Sequence, residues 1–183
     1  YITYNYIMKN NIEKISLLIK NKKFSEAIDI LNNLDENEKN NPNYYFLKGI
    51  SYLYLNNISA AIENFTQCLK LNSSNPTFYF YRGYTFSRLN DFEKTKEDYQ
   101  KAISLKPNAP EFYNNLAGVY YTTGENEKAI EHYVKSLELK KDLKPSLTGL
   151  LNVLSQTRNT NVRNSEIVLA HNNINNIKLD YSP

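Results

Sequence analysis

The residues that most often carry chemistry are few in this chain of 183 residues, and they lie far apart. Its two histidines, His132 and His171, fall on different predicted helices, and no histidine lies near the one cysteine, Cys68. A cysteine nucleophile needs an adjacent base, and a zinc site needs Cys and His ligands at short spacings. We therefore predict a solvated His132 and a small, buried, unreactive Cys68, with no catalytic residue, metal site or cofactor.

The charged residues also lack an arrangement that would serve catalysis or nucleic-acid binding. Acidic pairs at Glu36/Glu38 and Glu125/Glu127 fall in predicted polar loops or helix starts, where the helix dipole favours acids. Lys and Arg total 22 and Asp and Glu total 19, giving a net charge of +3 that is spread along the chain. A nucleic-acid interface would require a basic patch, so no nucleic-acid partner is expected.

Composition also bears on the cellular compartment. No apolar run reaches the roughly 18 residues that a membrane helix requires, so membrane insertion is not predicted. A single cysteine cannot form an internal disulfide and suits a reducing compartment. These observations favour a cytoplasmic location.

A repeat of 34 residues is the strongest pattern in the sequence, and it defines the elements that must position any site. The landmarks that recur at this spacing are Pro42, Pro76 and Pro110; Tyr45, Tyr79 and Tyr113; Gly49, Gly83 and Ala117; and Phe65, Tyr99 and Tyr133. In each period, two stripes of apolar residues at helical spacing flank a short polar break. Periods of this length are typical of solenoids, because one helix pair cannot bury its apolar stripe alone.

These landmarks resemble the tetratricopeptide repeat family, which is built from 34-residue helix–turn–helix units. The resemblance covers residues 42–143 and extends to both ends. It implies an all-α, right-handed α-solenoid of about ten helices. The expected divisions are a degenerate repeat over 1–41, repeats over 42–75, 76–109 and 110–143, and a degenerate repeat with a capping helix over 144–183.

Helical periodicity sets the expected bounds of the individual helices. A first helix is predicted from Asn11 to Lys20, and a polar loop from Asp35 to Pro42. Later helices are predicted over 43–55, 58–71, 77–89, 92–105, 144–156 and 165–178. The apolar stripe of the helix over 144–156 is expected to consist of Leu147, Leu150, Leu151 and Leu154.

The family resemblance also implies where a partner would bind, since its first helices line a concave face. Among the residues left on that face once the packing positions are set aside, the predicted binding groove consists of Phe46, Tyr54, Phe80, Tyr81, Tyr84, Arg88, Asn114, Asn115 and Tyr121. Core positions already have their own aromatic residues, so these extra rings are predicted to be exposed and to bind a partner. The alternative is that they only pack helix against helix.

Two functions remain open from the sequence. The first is a protein–protein interaction scaffold whose concave groove binds an extended or helical peptide segment of a partner. The second is an N-terminal arm of a larger transferase or oxygenase, an expectation prompted by a chain that begins at Tyr1 and ends abruptly at Pro183. Family members that bind the acidic tail of heat-shock chaperones use Lys, Asn and Arg on three consecutive repeats. Because the matching positions here lack that cationic set, this partner is not expected.

Overall fold

The computed structural model describes the backbone of residues 2–35 and 38–157 and the side chains of residues 11–35 and 38–157. Within this part of the chain there are nine α-helices and no strand. The α-helices are α1 (Ile2–Lys20), α2 (Phe24–Asn32), α3 (Pro42–Tyr54), α4 (Ile58–Leu71), α5 (Pro76–Ser87), α6 (Phe92–Leu105), α7 (Pro110–Thr122), α8 (Asn126–Leu139) and α9 (Lys144–Thr157), with a short 3-10 helix (Glu38–Asn40) before α3. The predicted helix over 165–178 lies outside the described residues.

Proline and asparagine explain where the first helix of a pair begins. Helices α3, α5 and α7 each start at a proline, whose fixed φ suits the first turn and whose missing N–H would have no partner there. The side chains of Asn41 and Asn75 accept hydrogen bonds from the backbone N–H groups of Asn43 and Thr77. These caps satisfy donors that the helix leaves unpaired.

The turn inside each helix pair uses one residue in the left-handed conformation. Lys22, Asn56 and Asn90 have φ values of 60°, 61° and 57°, and Gly124 has a φ of 78°. These four residues are spaced 34 apart, so the same turn recurs in the four pairs from α1–α2 to α7–α8. Glycine and asparagine tolerate this conformation better than most residues, which accounts for three of the four choices.

The described residues fall into two compact units that divide after Lys94. The first unit contains α1 to α5. Its core is formed by apolar side chains from all five helices and the loop before the 3-10 helix: Ile15, Ala27, Leu31, Leu34, Tyr44, Leu47, Ile50, Leu53, Ala61, Phe65, Cys68, Leu69 and Phe78. The second unit contains most of α6 together with α7, α8 and α9. Its buried side chains include Leu116, Ala117, Ala129, Ile130, Tyr133, Leu137, Leu150, Val153 and Leu154.

Three sequence expectations about the fold are wrong in detail. The first helix begins at Ile2 rather than at Asn11. Glu38, expected in a polar loop, is only 6% exposed and accepts hydrogen bonds from the Asp35 backbone N–H and the Asn11 side chain. Leu151, expected on the apolar stripe of α9, is 41% exposed, and Val153 is buried instead.

Candidate partner-binding surface

Four rings of the first unit form an aromatic cluster, defined here as Phe46, Phe65, Phe78 and Tyr81. The Phe46 ring lies 6.0 Å from Phe65, 5.4 Å from Phe78 and 5.3 Å from Tyr81, measured between centroids. Gly49 admits the Phe65 ring, because a Cβ at this position would lie 2.8 Å from it. The expectation that the extra rings are exposed is therefore wrong for Phe46 and Tyr81, which are half-buried against the core.

Two tyrosines beside this cluster are exposed, and with Tyr81 they form what we call the tyrosine face (Tyr54, Tyr81 and Tyr84). Tyr54 is 62% exposed and Tyr84 is 36% exposed. Burial raises the pKa of Tyr81, and the nearness of Tyr54 and Tyr84 raises the pKa further. Phe80 packs edge-on against Tyr81 at 5.6 Å. The face thus presents rings and hydroxyl groups together.

Contacts with the preceding helix pair hold both ends of this face. The Tyr54 ring stacks on Phe24 with 4.9 Å between centroids and an interplanar angle of 7°. Arg88, at the end of α5, donates from Nη2 to Asn56 Oδ1 at 3.1 Å and is exposed. Because Arg88 follows Tyr54 by 34 residues, both use the same position to reach back to the preceding pair.

The remaining predicted residues, Asn114, Asn115 and Tyr121, belong to the second unit. Asn114 Oδ1 lies 2.9 Å from Ser146 Oγ, which lies 2.7 Å from Ser136 Oγ, and Ser136 donates to the Pro110 carbonyl at 2.7 Å. We call Asn114, Ser136 and Ser146 the serine network. Asn115 donates a hydrogen bond to the Glu111 carbonyl. The pKa of Tyr133 is raised, first by burial and then by the nearness of Tyr121. Asn114 is therefore engaged in packing α7 against α9.

Sequence reasoning did not identify the serine network or the glycine that accompanies it. A Cβ at Gly149 would overlap the Tyr133 ring, so only glycine lets α9 approach α8 here. The 34-residue period could have indicated these residues, since Gly149 and Ser146 stand two repeat lengths after Tyr81 and Phe78. Comparing these positions would have indicated that the aromatic cluster has no counterpart in the second unit.

The two residues considered first for chemistry have structural surroundings. Cys68 is fully buried, as predicted, and burial raises the pKa of its thiol to about 12, so the thiolate form that reacts is scarce. His132 is half-buried rather than fully solvated. Its ring lies 5.1 Å from Tyr120 and 6.1 Å from Tyr113, and its Nδ1 is 2.9 Å from the Lys128 carbonyl.

Metal ligation and membrane crossing find no support within the described part of the chain. Residues 11–35 and 38–157 contain no group of three or more His, Cys, Asp or Glu side chains that could hold a metal ion. None of the described helices combines the length and the apolar character that a membrane span requires.

Family models for tetratricopeptide repeats match three stretches of the chain. A model described as tetratricopeptide repeat matches residues 42–75, another of the same description matches 110–143, and one described as TPR repeat matches 88–124. Residues 42–75 and 88–143 therefore form tetratricopeptide repeats, which typically build protein-binding scaffolds without catalytic activity. Among curated proteins, none matches this chain.

Solved structures with the same fold extend this result. MamA from Desulfovibrio magneticus superposes with a TM-score of 0.74 at 19% identity, covering 93% of each chain. A thermophilic TPR protein from Thermus thermophilus gives a TM-score of 0.70 at 16% identity, covering 80% of this chain and 81% of its own. The first TPR domain of Spaghetti (RPAP3), bound to an HSP90 peptide, gives 0.58 at 23% identity, covering 60% of this chain and 86% of its own. These matches confirm the predicted fold class, all-α with stacked helix–turn–helix repeats.

Proposed function

We propose that this protein is a scaffold that binds a peptide segment of a partner protein on the tyrosine face of its first unit. The observation that carries the proposal is the exposure of Tyr54 and Tyr84, with Tyr84 on the same face of α5 as Tyr81, three residues earlier. Exposed aromatic residues of this kind are enriched at interaction sites, because a ring gives a large contact area at a small entropic cost. The proposed repeats of the scaffold are those over 42–75, 76–109 and 110–143, with degenerate repeats over 1–41 and 144–183.

The chemistry of the face suggests what the peptide contains. Tyrosine rings favour a partly apolar segment, and Arg88 would fix its direction by pairing with a carboxylate. Arg88 is the one cation among the predicted groove residues, so binding should depend weakly on salt. In the second unit, Asn115 and Tyr121 form a separate proposed contact region with Asn114, since amides can pair with a peptide backbone.

One peptide-bound relative offers a direct contrast in ligand chemistry. The Spaghetti (RPAP3) domain is bound to the HSP90 peptide SRMEEVD, which carries several carboxylates. Burying such a peptide requires several cations opposite it, because unpaired carboxylates lose their hydration without compensation. We therefore propose that the partner of the present protein is not an acidic tail of this kind.

A peptide-display selection tests the proposal even while the partner is unidentified. Random peptides of about twelve residues are selected on the immobilised protein, and the best binder is titrated against variants. Tyr84→Ala and Tyr54→Ala should each weaken binding by roughly 30-fold, the loss expected for an aromatic residue at the centre of an interface. Leu71→Ala is the matched control, because Leu71 is 46% exposed but lies at the end of α4.

Two further results test the proposal. The peptide SRMEEVD should bind at least about tenfold more weakly than the selected peptide, given the scarcity of cations on this face. If the selected peptides bind both tyrosine variants as tightly as the parent while circular dichroism shows intact helices, the tyrosine face is not the binding surface.

A further inference from the structure

An open cleft of about 380 Å³ lies along the α3–α4 pair and uses none of the residues of the tyrosine face. The side chains that argue for a ligand are two tyrosines and a glutamate. Its lining consists of Tyr45, Lys48 and Tyr52 from α3 and Ala60, Glu63, Asn64 and Gln67 from α4.

The second unit fills the equivalent place with an imidazole ring. Two repeat lengths after Tyr45, Tyr52 and Asn64 stand Tyr113, Tyr120 and His132. The His132 ring contacts both tyrosines, with its centroid 6.1 Å from that of Tyr113 and 5.1 Å from that of Tyr120.

The side chains of Asn64 and His132 make the same contact with the backbone of their own helices. Asn64 Nδ2 donates to the Ala60 carbonyl at 2.7 Å, and His132 Nδ1 lies 2.9 Å from the Lys128 carbonyl, in both cases four residues earlier. An asparagine amide is smaller than an imidazole. The space that a planar ring occupies in the second unit is therefore open in the first.

The charges at the cleft favour a cation as its occupant. Glu63 is exposed and makes no hydrogen bond or ion pair with any residue that the structure describes. Lys48 is directed to Tyr44, with its Nζ 3.2 Å from the hydroxyl and 5.4 Å from the ring centroid. Two rings and a carboxylate without a partner match a guanidinium group, which is planar, stacks on aromatic faces and pairs with carboxylates.

We propose that this cleft binds an arginine side chain of a partner protein, with the guanidinium between Tyr45 and Tyr52 and paired with Glu63. The site would take, from outside, the planar group that His132 supplies within the second unit. It provides a second docking point that involves different residues from the proposed peptide surface, so either can fail without the other.

The test uses the full chain, labelled with ¹³C in its tyrosine rings, and follows the ring resonances of Tyr45 and Tyr52 by NMR. The probes are blocked Gly-Gly-Arg-Gly-Gly and the same peptide with citrulline, which keeps the planar shape and removes the charge. Arginine should give saturable shifts at both tyrosines, and citrulline should bind at least about fivefold more weakly, because it cannot pair with Glu63. Equal binding of both peptides, or shifts at other tyrosines only, would overturn the proposal.

Two variants locate the site. Asn64→His should abolish the shifts, because its ring would fill the space as His132 does, and Glu63→Gln should weaken binding by about threefold to fivefold. Glu131→Gln is the matched control, since Glu131 stands at the same position beside the filled site of the second unit. Undiminished arginine binding by a folded Asn64→His protein would overturn the proposal, and if that variant does not fold, Glu63→Gln and citrulline carry the test.

Discussion

Phe46, Phe78 and Tyr81 of the first unit occupy the positions that Asn114, Ser146 and Gly149 occupy two repeat lengths later. In the first unit, the rings of Phe46 and Phe78 meet at 5.4 Å. At the equivalent place in the second unit, Asn114 Oδ1 and Ser146 Oγ lie 2.9 Å apart. A ring–ring contact in one region is therefore replaced by a hydrogen bond in the other.

Cys68 and Ser136 continue the comparison on the second helix of each pair. Cys68 Sγ donates to the Pro42 carbonyl at 3.4 Å, and Ser136 Oγ donates to the Pro110 carbonyl at 2.7 Å. Ser136 also contacts Ser146, whereas Cys68 packs in one apolar cluster with Phe78. Ser136 and Ser146 make three contacts, with the Pro110 carbonyl, with each other and with Asn114. Their two hydroxyl protons can serve only two of these contacts at a time.

The difference shows that one backbone arrangement can be stabilised by different forces. The aromatic cluster contributes buried area, which is large but tolerates small displacements. The serine network contributes less area, but its members must keep their partners, because an unpaired buried hydroxyl costs free energy. Glycine also changes place: Gly49 admits Phe65 within a helix pair, and Gly149 admits Tyr133 between α8 and α9.

The largest expected effect comes from removing the most deeply buried ring of the aromatic cluster. Phe65→Ala should lower the free energy of unfolding of the first unit by about 3–5 kcal/mol, since Phe65 is fully buried and its loss leaves a cavity. Hydrogen exchange of the α4 amides in the native state measures this loss. Tyr54→Ala, which removes an exposed ring, should cost no more than about 1 kcal/mol. Equal losses in the two variants would mean that the cluster is not the stabilising feature of this unit.

The second effect concerns Gly149, which stands at the position of Tyr81 in the second unit and lets α9 approach α8 closely. Gly149→Ala should cost roughly 1–3 kcal/mol, because its Cβ would overlap the buried Tyr133 ring. Gly118→Ala is the matched control on α7, where a Cβ would have its nearest neighbour at 3.7 Å. That variant should be neutral or more stable by about 0.5–1 kcal/mol, as expected for alanine in a helix. Urea denaturation of both proteins would contradict the comparison if Gly149→Ala were the more stable.

The third effect measures the hydrogen bonds of the serine network. Ser146→Ala should cost about 1–2 kcal/mol, because it leaves Asn114 Oδ1 without its donor and removes one contact of Ser136, which keeps its hydrogen bond to the Pro110 carbonyl. Ser155→Ala, on the exposed side of α9, should stay within about 0.5 kcal/mol of the parent. Thermal unfolding followed by calorimetry distinguishes the two variants, and a Ser146→Ala midpoint equal to that of Ser155→Ala would show that the network stabilises nothing.

Sequence periodicity predicted the helices well because the landmarks repeat without insertion from Pro42 onward. The prediction for α4, Ile58–Leu71, agrees with the structure at both ends. It failed at the start of the chain, where the residues after Ile2 are helical but follow no apolar stripe. It also missed the burial of Glu38, because the partner, Asn11, lies 27 residues away and belongs to no repeated position.

The candidate site was harder to predict than the fold. Adjacent positions on a helix differ by about 100° in direction, so a one-residue difference separates an exposed ring from a packed one. Phe46 and Tyr81 lie at the border between the packed and the exposed side of their helices and pack within the aromatic cluster, whereas Tyr54 and Tyr84 stay exposed. Which border residues turn inward depends on the neighbouring helix, and Gly49 and Gly149 set how near that helix comes.

The smallest effect distinguishes the two units by their response to acid. Asn57 caps the start of α4, where its neutral side chain accepts a hydrogen bond from the Ala60 N–H. The residue at the equivalent position before α8 is Glu125. Glu125 accepts hydrogen bonds from Lys128 at 2.7 Å, Lys96 at 3.0 Å and Thr123 at 2.9 Å. These contacts, the one from Lys128 first, lower the pKa of Glu125 to about 2.

Because a glutamate in the unfolded chain has a pKa of about 4.3, the stabilisation by Glu125 is fully present above that pH and is lost as the pH falls toward 2. Glu125→Gln should therefore lower the thermal midpoint at pH 6, and the gap from the parent should close between pH 4.5 and about 2. High salt should shrink the same gap, since the side chains are exposed to screening. Asn57→Ala should instead cost about 1 kcal/mol at every pH, because its cap carries no titrating group. A gap for Glu125→Gln that stayed constant from pH 6 to about 2 would show that the ion pairs do not distinguish the second unit from the first.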